Sequence, residues 1–143
     1  MNPRARTWLT AYLAALVCFL ALDAVWIGTM TQRLYRPSLG SLLAPEVDWP
    51  AAVLFYAIYI GGLVYFAVVP ALASARPAVA LRRGALLGLL AYATYDLTNQ
   101  ATLRDWPWTV TLADLAWGTF VSGAASWLAA RVTCPRGSRR TAR

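Results

Sequence analysis

Four long apolar runs, a low charged share and arginines gathered at alternate ends of those runs predict an all-α fold. The class is an integral membrane four-transmembrane-helix bundle with both termini cytoplasmic. Hydrophobic residues make up 59% of the 143 residues and charged residues 13%, against about a quarter charged in a soluble domain. The runs are Trp8–Met30, Ala51–Leu72, Gly84–Thr102 and Thr109–Ala130. Each is close to the roughly 20 residues that a helix needs to cross about 30 Å of hydrocarbon. One membrane domain, residues 1–143, uses the whole length.

The first run, residues 8–30, follows a short basic start. Its length, and the lack of a small-x-small cleavage site before the polar segment, argue for a span and against a signal peptide. Residues 31–50 carry Pro37, Gly40, Pro45 and Pro50 among apolar side chains, which predicts a loop lying along the outer interface. The second run, residues 51–72, has Tyr56 and Tyr59 near its outer end, Gly61-Gly62 in its middle and Pro70 at its exit. The glycines are expected to permit close helix contact.

A short basic loop, residues 73–83, leads to the third run, residues 84–102, which opens with the small-xxx-small pair Gly84 and Gly88. The turn at residues 103–108 is tight, so the third and fourth runs are antiparallel neighbours. The fourth run, residues 109–130, is followed by a basic cytoplasmic tail, residues 131–143. Trp49, Trp106 and Trp108 are expected in an outer aromatic belt, and Trp8 and Trp127 in an inner one.

Charge fixes the expected orientation. Arg4 and Arg6, then Arg76, Arg82 and Arg83, then Arg131, Arg136, Arg139, Arg140 and Arg143 fall on one side. The other side has Arg33, Arg36 and Arg104, offset by Glu46, Asp48 and Asp105. This asymmetry predicts both termini, on the arginine-rich side, in the cytoplasm. The net charge of +7 suits anionic lipid headgroups, and no nucleic acid is needed to explain it.

All 13 basic residues are arginine, and there is no histidine. That excludes His-ligated zinc or haem, a Ser-His-Asp triad and a lysine Schiff base. No metal site is expected, and no cofactor is indicated. Cys18 in the first run and Cys134 in the tail face different environments and are not expected to pair.

Three aspartates lie inside apolar runs: Asp23, Asp96 and Asp114. Asp96 shares a helix face with Asn99 and Gln100, at i+3 and i+4, and Trp26 and Trp117 each follow an aspartate by three residues. Counting 1.5 Å per residue from the outer helix ends puts Asp23, Tyr56, Asp96 and Asp114 about 8–11 Å below the surface. All four helices thus offer a polar group at one level, in the outer half of the bilayer.

A carboxylate at that depth costs at least about 2–3 kcal/mol, so the aspartates should face the bundle interior. With no arginine inside the spans, they are protonated, share protons, or hold an exogenous cation. Interhelical hydrogen bonding alone is the plainer account of any one of them, but Asn or Ser would serve that purpose at lower cost. The expected ligand-binding group is Asp96, Asp23 and Asp114, with Asn99, Tyr56, Trp26 and Trp117 orienting.

The segments ALDAVWIG, LFYAIYIGG, VVPAL, GALLGLLAYATYDLTNQATLRDWP and DLAWG together resemble a family of predicted four-span bacterial inner-membrane proteins, a domain of unknown function. YDLTNQATLRDWP is the most specific block, and the resemblance covers residues 8 to 130. It implies four helices and a bacterial inner (cytoplasmic) membrane location, and no catalytic assignment.

Three functions fit these residues. The first is a binding protein holding a small cationic or lipid-like ligand against Trp26, Trp117 and Tyr59. The second is an intramembrane enzyme using paired aspartates for acid and base chemistry on a lipid. The third is a structural subunit, packing as a homo-oligomer or in a larger membrane complex through Gly61, Gly62, Gly84, Gly88, Gly118 and Gly123. Membrane lipids are partners in every case.

Overall fold

The structure is a computed structural model and describes residues 2–134, so Arg136, Arg139, Arg140 and Arg143 of the expected basic tail lie outside the described residues. It is an all-α membrane bundle of four long helices: α1 (Pro3–Leu42), α2 (Trp49–Ala73), α3 (Pro77–Thr102) and α4 (Trp108–Thr133). No strand occurs among the described residues. Helix starts follow capping rules. The Asn2 side chain accepts from the Arg4 N–H at 3.0 Å, and Asp48 caps α2 by accepting from the Ala51 N–H at 3.1 Å. Pro3 and Pro77 occupy first helical positions, where the missing N–H costs nothing. As a result α3 begins at Pro77, and Arg82 and Arg83 sit on its first turns.

The segment after Met30 departs from the loop expected there. The helix continues through a π turn, Thr31–Tyr35, then Arg36–Leu39 and Gly40–Leu42. Proline explains the π turn, because Pro37 lacks an N–H and its ring would meet the carbonyl four residues back in an α-helix. The wider turn removes that conflict, with the Arg36 N–H bonding five residues back to Thr31. The same device recurs in α2, where the π turn Val64–Val68 precedes Pro70 and Val69 bonds back to Val64. Gly40, at φ +50°, lets the backbone turn out of the helix.

Packing is inverted relative to a soluble bundle. Among the four helices, α1 and α2 pass by themselves as apolar enough to cross a membrane, and they present most of their side chains outward. The more polar α4 is the central element, burying Thr111, Asp114, Ser122 and Ser126 beside Val110, Val121 and Ala125. Lipid solvates the apolar helices, and the polar groups of α4 find protein partners.

The α3–α4 pair is the closest packed in the bundle. A Cβ on Gly84 would strike the Ser122 carbonyl and the Ser126 side chain, one on Gly88 the Gly118 carbonyl, and one on Gly118 the ring of Tyr92. These antiparallel contacts make Gly84, Gly88 and Gly118 internal packing positions. Gly123 contacts Leu81 and Ala85 in the same seam. Gly61 and Gly62 differ from expectation: a Cβ on either would meet nothing within 4 Å, so no helix approaches closely there.

Along α1 the buried residues Ala11, Ala15, Phe19 and Asp23 recur every fourth position. Along α3 the row is Ala80, Gly84, Gly88 and Asp96, with half-buried Tyr92 between the last two. Each row is one ridge turned toward the interior. Each begins with small or apolar residues and ends, one or two turns further along, in an aspartate.

Trp8, Trp49, Trp108 and Trp127 are exposed, as belt residues are. Trp106 is not: it is buried in the α3–α4 turn, where its indole N–H donates to Thr111 at 3.1 Å. Gln100 closes the same turn, donating to the Trp106 carbonyl at 3.0 Å and accepting from Thr111 at 3.2 Å. Asp105 takes φ 59° in that turn, a conformation that aspartate tolerates better than most residues.

Candidate functional site: a carboxylate walled by aromatic rings

Asp23 ends the interior ridge of α1, and its carboxylate is held from two other helices. The Tyr56 hydroxyl of α2 donates to one oxygen at 2.6 Å, and the Trp117 indole N–H of α4 donates to the other at 3.1 Å. Only 6% of the residue is exposed. Each oxygen keeps a second lone pair for a further donor.

Trp117 continues the site by stacking on Trp26, with centroids 4.5 Å apart and planes inclined by 6°. The Trp26 indole N–H donates to the Tyr35 hydroxyl at 2.8 Å, and that hydroxyl donates to Asp114 at 2.5 Å. One connected chain therefore runs Tyr56, Asp23, Trp117, Trp26, Tyr35, Asp114. In an unbroken α-helix, positions nine apart such as Trp26 and Tyr35 project about 180° apart. The intervening π turn changes that phase and brings Tyr35 back over the bundle.

A cavity of about 350 Å³ opens beside this chain, lined by Asp23, Trp26, Ile27, Tyr35, Phe55, Tyr56, Tyr92 and Trp117. All four helices contribute to it. Its size falls in the range of small-molecule sites, and its wall is mainly aromatic around one carboxylate.

Of the expected site residues, Asp23, Tyr56, Trp26 and Trp117 line the cavity. Asp114 joins them through Tyr35 and is 8% exposed. Asp96 lies elsewhere, fully buried, and neither carboxylate oxygen has a hydrogen-bond partner. It sits within electrostatic reach of Asp114 and Tyr35 without touching the cavity wall. Asn99, half-buried one turn beyond Asp96, contributes its backbone carbonyl to the end of α3, where it accepts from Leu103 at 2.8 Å. Tyr59 pairs with Ser122 at 2.8 Å in the core and does not line the cavity.

Sequence reasoning missed Tyr35, Phe55 and Tyr92. Tyr35 was hidden by reading the Pro37 segment as loop. Tyr92 carried a legible signal, since it lies four residues before Asp96 on the same ridge. Among the described residues no group of three or more His, Cys, Asp or Glu side chains could hold a metal ion.

A family model described as "Predicted membrane protein (DUF2177)" matches residues 8–131. No curated protein and no solved structure matches the chain.

Proposed function

The chain belongs to the DUF2177 family of predicted membrane proteins, and we propose that in the membrane it binds a small ligand bearing a cationic or hydrogen-bond-donating group. The observation that carries this reading is the cavity at Asp23, in which a lone carboxylate faces a wall of tryptophan and tyrosine rings. A cation there gains from the carboxylate and from the ring faces of Trp26 and Trp117, and both contributions strengthen away from water. Tyr56 and the Trp117 N–H fix the carboxylate before the ligand arrives, which lowers the ordering cost of binding.

Asp23, Trp26, Trp117 and Tyr56 contact the ligand in this reading. Asp114 positions Tyr35, which lines the cavity beside Trp26. Asp96 and Asn99, on α3 and outside the cavity lining, act as supporting groups. The arginine distribution supports both termini cytoplasmic and the site in the outer half, in the bacterial inner membrane that the family resemblance implies. What favours binding over two-carboxylate acid and base chemistry is that Asp23 lines the cavity, whereas Asp96 and Asp114 are not among its lining residues.

Native mass spectrometry of protein gently extracted from its own membranes tests the proposal. A discrete adduct on the wild type, missing from Asp23→Asn, is the expected result. Identical adduct patterns for the two proteins would remove the pocket from consideration as a ligand site.

A further inference from the structure

Next to the aromatic cavity, on the membrane-facing side, α1 and α2 part and leave an apolar groove of about 370 Å³. Its walls are Leu16 and Leu20 of α1 and Ala52 and Val53 of α2. Two hydrogen bonds join the helices: Tyr12 to the Ala57 carbonyl at 3.2 Å, and Tyr56 to Asp23 at 2.6 Å. On α2 these bonds fall on neighbouring residues, and contact between the two helices is sparse as a whole. Tyr56 lines both the groove and the aromatic cavity.

We propose that the two spaces form one site for a single-chain amphiphile, with a cationic headgroup at Asp23 and a hydrocarbon tail in the Leu16–Val53 groove. The inference rests on the ligand-binding reading above and names the ligand class. Charge complementarity sets the head end, since Asp23 lines the aromatic cavity and the groove is lined by no acidic or basic residue. Continuity through Tyr56 sets where the tail leaves. The eight steps from Tyr12 to Leu20 span about 12 Å of helix, which gives the groove the length of a short alkyl chain. The ligand then enters sideways from the bilayer, through the gap between α1 and α2.

The test uses the full chain in phosphatidylcholine nanodiscs, with dodecyltrimethylammonium and tetramethylammonium as probes and intrinsic tryptophan fluorescence as readout. Ala52→Phe and Leu16→Phe fill the groove from opposite walls and add no tryptophan. Both are expected to weaken the dodecyl probe by about tenfold or more, since loss of only two buried methylenes has that effect. Binding of tetramethylammonium should stay at the wild-type level in both variants. Asp23→Asn should weaken both probes.

If the groove variants bind both probes as the wild type does, the groove holds only bulk lipid chains and the proposal is overturned. Equal weakening of both probes by both groove variants overturns it too, as a distortion of the headgroup site. Failure of the wild type to bind either cation removes the ligand reading itself, an outcome distinct from loss of the tail preference alone.

Discussion

The indoles of Trp26 and Trp117 lie face to face 4.5 Å apart, yet their N–H groups point to different acceptors, Tyr35 and Asp23. The stack is thus pinned at both edges and joins the two halves of the polar chain across the α1–α4 interface. Two nearly parallel indoles at that distance couple electronically. The expected signature is a tryptophan couplet in circular dichroism that disappears in both Trp26→Phe and Trp117→Phe. A spectrum unchanged by either substitution would mean that the rings do not stack in solution.

Asp23 and Asp96 should respond oppositely to neutralisation. Asp23→Asn replaces a carboxylate acceptor by a neutral amide, whose oxygen still serves Trp117 but whose NH2 forces the Tyr56 hydroxyl to turn from donor to acceptor, so both bonds weaken, at a cost of about 1–3 kcal/mol. Asp96 has no donor to lose, and replacing a buried unpaired carboxyl by an apolar group of similar size is neutral or favourable. Thermal unfolding in nanodiscs should therefore show Asp23→Asn below wild type and Asp96→Leu at or above it. A marked loss in Asp96→Leu would show that Asp96 has a partner supplied from outside the chain.

Tyr35→Phe separates the π turn of α1 from the bundle. It removes the hydroxyl that accepts from Trp26 and donates to Asp114. Residues 31–42 have no fully buried side chain to hold them otherwise. Hydrogen exchange followed by mass spectrometry should show faster exchange across residues 31–42 with the α3–α4 seam unchanged. Equal protection in both proteins would mean that the outer segment of α1 is held by other contacts.

The four helices were legible because a span leaves a run of apolar residues about 20 long, and nothing else in this chain does. Their ends were less so: Pro37 reads as a loop signal, and only the π turn, which no periodicity announces, keeps the helix going through it. The Asp23–Tyr56 pairing could be guessed from depth, since helix rise converts residue number into level, whereas Trp117 was legible only as a neighbour of Asp114 on its own helix face and bonds instead to Asp23. Asp96 and Asn99 show the limit of that method. Depth gives the level of a group but not its direction around the helix, and Asp96 faces the α4 seam and not the cavity. Trp106 shows the same limit, since its depth suits the belt while its N–H is turned inward to Thr111.

Glycine replacements should split by seam. Gly88→Ala puts a methyl against the Gly118 carbonyl, a backbone atom that cannot swing aside. Gly61→Ala meets open space and gains up to about 1 kcal/mol of helix propensity. Unfolding by denaturing detergent should place Gly88→Ala well below wild type and Gly61→Ala level with it or above. The reverse order would mean that α2, and not α3, makes the close helix contact.

Pro70 and Arg83 should prove energetically coupled although they sit on different helices. Proline removes the N–H that would serve the Phe66 carbonyl four residues earlier, and the Arg83 guanidinium reaches that carbonyl at 3.5 Å. The bond is long, so its net worth is below about 1 kcal/mol, but the carbonyl it serves has lost its helical donor in a low-dielectric setting. In a double-mutant cycle Arg83→Ala should destabilise the wild type and cost less in a Pro70→Ala background, where the helix supplies its own donor. If Arg83→Ala costs the same in both backgrounds, the guanidinium acts on the membrane surface and not on Phe66.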